Sequence, residues 1–440
     1  MKALLVWPKA RTDPDWGGDL GAIAEPLALE YLAAAILQEG HEVRILDLRL
    51  HPLDLEGTLN DFLPDIIGVT AFSMHVSAGL SILKTAKRLL PDILTIAGGH
   101  HATIYPEDFF YPQVDIVVVG EGVYPLKEIL KQYAAQGTFQ DIPGVIYQDP
   151  CGEFIKNSKP LPYQIDDLPF PNREITKNDR HAYFIDWMMP VALLRTSVGC
   201  PYRCSFCSLW KISESKYHKR NIYAVLEEVK HIEEEFIFLV DDEAFIDSKR
   251  MLDMALLFKE NNIYKRFFAY ARIDTILRSK EILLAWKEVG LERLFVGIDA
   301  YTEKDLKEYN KKLTVYQIEQ GLEIAKELDI EVFAQFVVNS DYKEKDFKQL
   351  VRFIEHLKID YPTFTILTPL PGTALLNADF SNVTMKQPNG RPDWDYFDTQ
   401  SLVLPTQIPA PEFRKLYRGL FKIFNNRYSQ FLIHKPRVGQ

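Results

Sequence analysis

The chain has 440 residues, of which 47% are apolar and 25% charged, so it is long enough for two or three globular domains. Its formal net charge of −10 argues against a nucleic-acid partner gripped through phosphates, which calls for a basic domain. Four cysteines, three of them clustered, exclude a disulfide framework and indicate a reducing compartment. The first apolar run, residues 1–7, is too short for a signal peptide, and no stretch approaches about eighteen uninterrupted apolar residues. The expectation is a soluble, cytoplasmic protein with no transmembrane segment.

Residues 1–135 alternate short β-branched runs with helical patterns, which predicts parallel βαβ units. Strands are expected at 3–7, 43–46, 66–72, 93–97 and 116–119. After a glycine-rich loop at 16–21, residues 26–39 place Leu29, Leu32, Ile36 and Leu37 at helical spacing, with Gly40 as the stop. The last three runs are apolar throughout, as strands covered on both faces are, so the fold expected here is a doubly wound, Rossmann-like sheet. Ligands of such sheets sit beyond the carboxyl ends of the strands. Thr70, Ser73 and Met74 fall there, as do Gly98, Gly99 and His101, and then Glu121 and Gly122. Each glycine serves a tight turn equally well.

Residues 136–186 read as a linker: a hairpin at 144–154 with Cys151 in its turn, then prolines alternating with apolar residues, which hold the backbone extended. A strand at 191–194 and the loop 195–199 lead into Cys200, Cys204 and Cys207. Three thiols at this spacing converge on one iron–sulfur cube, and a closed four-iron cluster needs four thiolates, so one iron is left open. Zinc sites instead show paired C-x-x-C knuckles or mixed Cys and His, and no second pair exists in this chain.

Further strands are expected at 236–240, 267–271, 294–298, 332–338 and 364–367, with helices at 223–233, 248–260, 280–289, 315–328 and 344–357. These βα units suit a partial (β/α)6 barrel spanning 187–375, whose active residues gather at the carboxyl ends of the strands. Asp241, Asp242 and Glu243 follow the second strand; an acidic cluster of this kind also caps helices, and Asp247 is better placed for that cap. Arg272 and Asp274 follow the third strand, where an arginine suits a carboxylate. Asp299 closes the fourth, and Gln335 lies within the fifth, either facing the lumen or as a satisfied core polar group. Residues 376–440 form a short aromatic-rich region with helical spacing from 411 to 425, expected to dock on the barrel.

The stretch Cys200-Pro-Tyr-Arg-Cys204-Ser-Phe206-Cys207 resembles the C-x-x-x-C-x-x-C signature of radical S-adenosylmethionine (SAM) enzymes, with Phe206 as the aromatic before the last cysteine. Pro26-Leu-Ala-Leu-Glu-Tyr-Leu-Ala33, Gly98-Gly-His-His-Ala-Thr103 and Val119-Gly-Glu-Gly122 resemble the amino-terminal cobalamin-binding domain of the cobalamin-dependent members of that family. The Asp-x-His-x-x-Gly loop that supplies an axial histidine in many cobalamin domains is absent after the first strand. The resemblance implies a [4Fe-4S] cluster on Cys200, Cys204 and Cys207, SAM, and cobalamin. It implies that Asp241, Asp242 and Glu243 meet the amino group of SAM and that Asp299, where relatives carry glutamate in Gly-Ile-Glu-Ser, meets its ribose or methionine part. Thr368-Pro-Leu-Pro-Gly-Thr373 matches a Thr-Pro-x-Pro-Gly-Thr loop of the family, while Asn339-Ser-Asp-Tyr342 stands where relatives carry Phe-Pro-Gly.

The implied activity is reductive cleavage of SAM to abstract hydrogen from an unactivated carbon, followed by methyl transfer from methylcobalamin to a small apolar substrate. An external electron donor such as flavodoxin or ferredoxin would serve it. Alternatives are a cyclase, ring-modifying enzyme or oxidoreductase of the same architecture without methyl transfer, or a non-enzymatic cobalamin or iron–sulfur sensor.

Overall fold

The computed structural model describes residues 1–11, 22–162 and 164–432, with side chains described as far as 424. The glycine-rich loop at 16–21 lies outside them. The chain divides into two compact units, Met1–Tyr183 and Phe184–Gln440.

In the first unit, parallel strands β1 (Lys2–Trp7), β2 (Glu42–Asp47), β3 (Ile66–Thr70), β4 (Leu94–Gly98) and β5 (Ile116–Val118) lie in the order β2-β1-β3-β4-β5. Strands β6 (Val145–Gln148) and β7 (Phe154–Lys156) extend the sheet antiparallel from β5, so the hairpin within 136–186 is part of this sheet. Val145 and Ile146 are buried in it, which is the physical reason it joins the sheet. Helices α1 (Leu27–Gln38), α2 (Leu55–Phe62) and α3 (Val76–Leu89) connect parallel strands, and α4 (Val123–Ala134) leads from β5 to the antiparallel β6. One core cluster joins Leu29, Ala33 and Ile36 of α1 to Leu5, Ile66, Ile96 and Ile116 of the sheet. The strand order reverses between β1 and β3, which makes their carboxyl ends the topological switch point of the sheet.

An acidic pair fastens residues 172–180 to α1. Glu25 accepts from Arg180 at 2.5 Å and from Arg173 at 3.4 Å, and Glu30 accepts from the Thr176 hydroxyl at 2.6 Å. Both carboxylates are buried. Burial, and then the charge of Glu25, push Glu30 up to about 8.

The second unit holds six parallel strands in sequential order: β8 (Val191–Leu194), β9 (Phe236–Leu239), β10 (Arg266–Ala271), β11 (Leu291–Asp299), β12 (Glu331–Val338) and β13 (Tyr361–Ile366). The crossovers carry α5 (Ile222–Lys230), α6 (Ser248–Glu260), α7 (Lys280–Glu288), α8 (Val315–Glu327) and α9 (Glu344–His356). This is the partial barrel.

Alternation sorts the side chains between its two faces. On the outer face Phe267 packs at 5.3 Å from Trp286 of α7. On the inner face Phe238, Phe268, Tyr270 and Phe295 form a chain of rings 4.6 to 6.5 Å apart. Phe295, Gln335, Thr363 and Thr365 are half-buried while their neighbours Val296, Phe336, Phe364 and Ile366 are buried, as expected when one face meets helices and the other an open lumen. Helix α10 (Ala410–Leu432) docks on the outer face of β13: the Tyr417 hydroxyl donates to the Phe364 carbonyl at 2.9 Å, and Phe421 lies 5.4 Å from the Phe364 ring. No helix among the described residues is long and apolar enough to cross a membrane.

Candidate active site

The cysteine loop leaves the carboxyl end of β8 and is held from beneath by the acids that follow β9. Asp241 is fully buried and accepts four hydrogen bonds, from the backbone and hydroxyl of Thr196 at 2.6 and 2.5 Å and of Ser197 at 2.9 and 2.7 Å. Asp242 accepts from the Gly199 N–H at 2.7 Å. Gly199 has φ +96°, and a Cβ there would stand 2.0 Å from the Lys216 carbonyl oxygen, so only glycine fits this turn. Ser197–Val198 then pairs antiparallel with His218–Lys219, closing the loop base.

The exposed side of the loop leans on the turn after Asp305. The Ser205 N–H donates to the Tyr309 carbonyl at 3.0 Å, Asn310 Nδ2 donates to the Arg203 carbonyl at 2.7 Å, and Phe206 meets the Tyr309 ring edge-on at 5.4 Å. Arg272 braces the middle. Its Nη1 is 3.7 Å from Cys204 Sγ, Nη2 donates to the Lys311 carbonyl at 2.8 Å, Nε donates to Asp274 at 2.8 Å, and the guanidinium covers the Tyr202 ring at 3.7 Å.

Cys204 is buried, and burial pushes Cys200 up to about 12 and Cys207 up to about 11. Thiols in such a setting become thiolates only beside cationic charge, which a cluster of iron supplies. Among the described residues no three His, Cys, Asp or Glu side chains are gathered for a single metal ion, the loop thiols included; a four-iron cube spreads its thiolates over separate irons. The other cysteine, Cys151, is an exposed turn residue of the first unit. The donor set therefore fits a cluster with one iron open to a non-protein ligand.

Glu243 offers the group that such a ligand needs. It is 1% exposed, its Oε1 has no hydrogen-bond partner among the described residues, and its charge is felt at Cys200. Burial, partly offset by Arg272 and by the neighbouring Thr275 hydroxyl and Phe245 N–H, pushes it up to about 7. A buried carboxylate oxygen without a partner is costly, and the amino group of SAM would satisfy it.

Other expected SAM contacts have protein partners instead. Asp241 is hydrogen-bonded to Thr196 and Ser197, and Arg272 to Asp274, Lys311 and Cys204, so both brace the loop. Asp299 sits at φ +66° where the β11–β12 register slips, buried and paired with Lys311. Gly297 makes room for that pair, since a Cβ there would come within 3.0 Å of Lys311 Nζ. Gln335 spans β12 and β13, accepting from Thr363 and donating to Thr365, both at 2.8 Å. The Thr368–Thr373 loop is a closed turn, with Thr373 Oγ1 donating to the Leu370 carbonyl at 2.6 Å.

In the first unit, the ends of β1 and β3 bring Trp7, Phe72 and His75 together, with ring centroids 5.8 to 6.3 Å apart. Thr70 ends β3 at this switch point, and Ser73 and Met74 follow it. Gly98 leaves open space beyond β4, where a Cβ would meet nothing nearer than Val118 at 3.8 Å. An aromatic edge flanked by small residues fits a flat macrocycle such as a corrin. His101 has both ring nitrogens engaged, with Ser73 Oγ at 3.0 Å and Asp108 at 2.8 Å, and is buried. Gly99 at φ +100° lets the β4 turn press on the Ala71 backbone, where a Cβ would come within 2.7 Å. Glu121 accepts from the Val123 N–H at 2.7 Å, and a Cβ on Gly122 would touch Leu32 at 3.3 Å.

Comparisons with known proteins agree with both halves. Residues 16–130 match the B12 binding domain, and residues 194–354 match the Radical SAM superfamily. Hopanoid C-3 methylase of Methylococcus capsulatus is 30% identical over 94% of this chain and 77% of its own length. An uncharacterized methyltransferase of Pyrococcus horikoshii is 28% identical over 89% of this chain and 86% of its own. Among solved structures, the radical SAM methyltransferase TsrM of Kitasatospora setae superposes with a TM-score of 0.70 at 17% identity, covering 97% of this chain and 88% of its own, which shows the shared fold. A B12-binding domain followed by a radical SAM barrel defines the class. The chain belongs to the cobalamin-dependent radical SAM enzymes, which use a [4Fe-4S] cluster, SAM and cobalamin.

Proposed function

We propose that this enzyme methylates an unactivated carbon of a small apolar molecule, in the cytoplasm, with electrons from an external carrier. The observation that carries this reading is the single cysteine loop with the unpartnered Glu243 oxygen beside it, at the mouth of a lumen lined by Phe238, Tyr270 and Phe295. When bound, the cluster and SAM supply reductive cleavage and hydrogen abstraction, and methylcobalamin supplies the methyl group.

The chain's own work is to hold and orient. Cys200, Cys204 and Cys207 would ligate three irons, and Glu243 would accept from the SAM amino group. Asp241, Asp242 and Arg272 fix the loop that presents them. The ring wall would receive the apolar body of the substrate, and the Gln335–Thr363–Thr365 rung offers it a polar edge. The switch point of the first unit, with Trp7, Phe72, Ser73 and Met74, would hold the corrin.

The test is an anaerobic incubation of the reconstituted enzyme with SAM, a reductant and candidate polycyclic lipids, chosen because a hopanoid methylase is 30% identical. The expected products are a methylated lipid, 5′-deoxyadenosine and S-adenosylhomocysteine together. Deoxyadenosine with altered substrate but no S-adenosylhomocysteine would instead assign a cyclase or oxidoreductase activity; a magnesium-protoporphyrin IX monomethyl ester cyclase of Cereibacter sphaeroides is 26% identical.

A further inference from the structure

The cysteine loop carries a charge opposite to that of the molecule. Against a net charge of −10 for the whole chain, residues 195–220 hold six lysines and arginines and the single acid Glu214. Arg203, Lys211, Lys216 and Lys219 among them are exposed. Two of them frame one indole: the Lys211 ammonium lies 4.6 Å and the Arg203 guanidinium 5.8 Å from the Trp210 ring. That indole donates its N–H to the Cys204 carbonyl at 3.2 Å, one hydrogen bond from a cluster ligand. The bond from Asn310 to the Arg203 carbonyl brings a second segment to the same rim, with exposed Lys307 and Lys312. The acids of the rim include Glu308, Glu214, paired with Lys216 at 2.6 Å, Asp247, paired with Lys219 at 2.6 Å, and Asp274, paired with Arg272, which leaves Arg203, Lys211, Lys307 and Lys312 as its outward positive charges.

We infer that this rim is the docking surface for an acidic one-electron carrier of the flavodoxin type, with Trp210 at its centre. The inference rests on the proposed function, because only a reducible cluster needs such a partner. Complementary charge steers encounter, raising association rates by about 10- to 1,000-fold at low salt. A polyanion such as RNA fits less well, because outside residues 195–220 the chain carries a net negative charge. In the step itself, one electron leaves the carrier's flavin hydroquinone, which becomes the semiquinone, and enters the cluster; no bond forms or breaks.

The experiment is stopped-flow reduction of the anaerobically reconstituted enzyme by flavodoxin hydroquinone, followed by bleaching of cluster absorbance. It is run beside photoreduction by uncharged 5-deazariboflavin, and compares wild type with the triple variant K211E/K216E/K312E. The expected result is a loss of about tenfold or more in the flavodoxin rate at low salt. The wild-type rate should fall as salt rises, and the deazaflavin rate and iron content should be unchanged by the substitutions. Equal flavodoxin rates in the two proteins, or no salt dependence, would overturn the assignment. So would parallel losses with both reductants, which would place these lysines in the support of the cluster. A deazaflavin-reduced enzyme that cleaves no SAM would overturn the radical reading itself and is distinguished by that readout.

Discussion

Glu243 and Glu30 are both buried carboxylates, and each keeps one oxygen without a hydrogen-bond partner among the described residues. The charge of Glu243 is felt at Cys200, and the proposed SAM amino group would satisfy its open oxygen. The substitution Glu243→Gln, similar in shape but unable to offer an ionised acceptor, should weaken SAM binding by about tenfold or more while leaving iron content unchanged; equilibrium dialysis with SAM and iron analysis would check both. Glu30 accepts from Thr176 through its other oxygen and lies beside Glu25, with its pKa raised from 4.5 to about 8. The folded unit therefore keeps a proton that the unfolded chain releases. Its contribution to stability is full below pH 4.5 and is lost as pH rises toward 8. Thermal unfolding across that range should show a falling midpoint in wild type and a flatter profile in Glu30→Gln, and equal slopes would contradict the assignment.

Among the elements, the loop after β8 and the bulge at the end of β11 carry the site. Gly199→Ala would drive a Cβ into the Lys216 carbonyl, so the loop must shift and cluster incorporation should fall severalfold, read as iron per chain after reconstitution. Lys311→Met would strand Asp299 as a buried carboxylate; removing one partner of such a pair costs about 3–5 kcal/mol, visible in a urea titration. The contrast in what the sequence discloses has a physical basis. The cysteine spacing and the β-branched runs are local patterns, so the cluster ligands and most strands are legible directly. The clamp on Asp241 joins residues 45 apart in the chain, and the bond from Arg272 to the Lys311 carbonyl joins residues 39 apart. No periodicity marks either, so neither partnership is legible in the sequence. Lys311 and Trp210 carry no local signal for the same reason, and the hairpin at 145–156 looks like a linker because two short strands gain their stability only from the sheet they join.

At the scale of the whole molecule, an acidic chain devotes one unit to a parallel sheet with an aromatic switch point and the other to a partial barrel with an open lumen. The fold is legible from its alternating elements, whereas the side-chain partners that brace the cysteine loop emerge only once side chains are placed in space. Everything proposed for the barrel depends on a metal centre with one coordination position that the protein leaves vacant. The most direct test is metal analysis of anaerobically reconstituted chain, combined with electron paramagnetic resonance of the reduced form before and after SAM is added. The expected result is about four irons per chain and a reduced-cluster signal whose shape changes when SAM binds; zinc in place of iron, or a signal that SAM leaves unaltered, would contradict it.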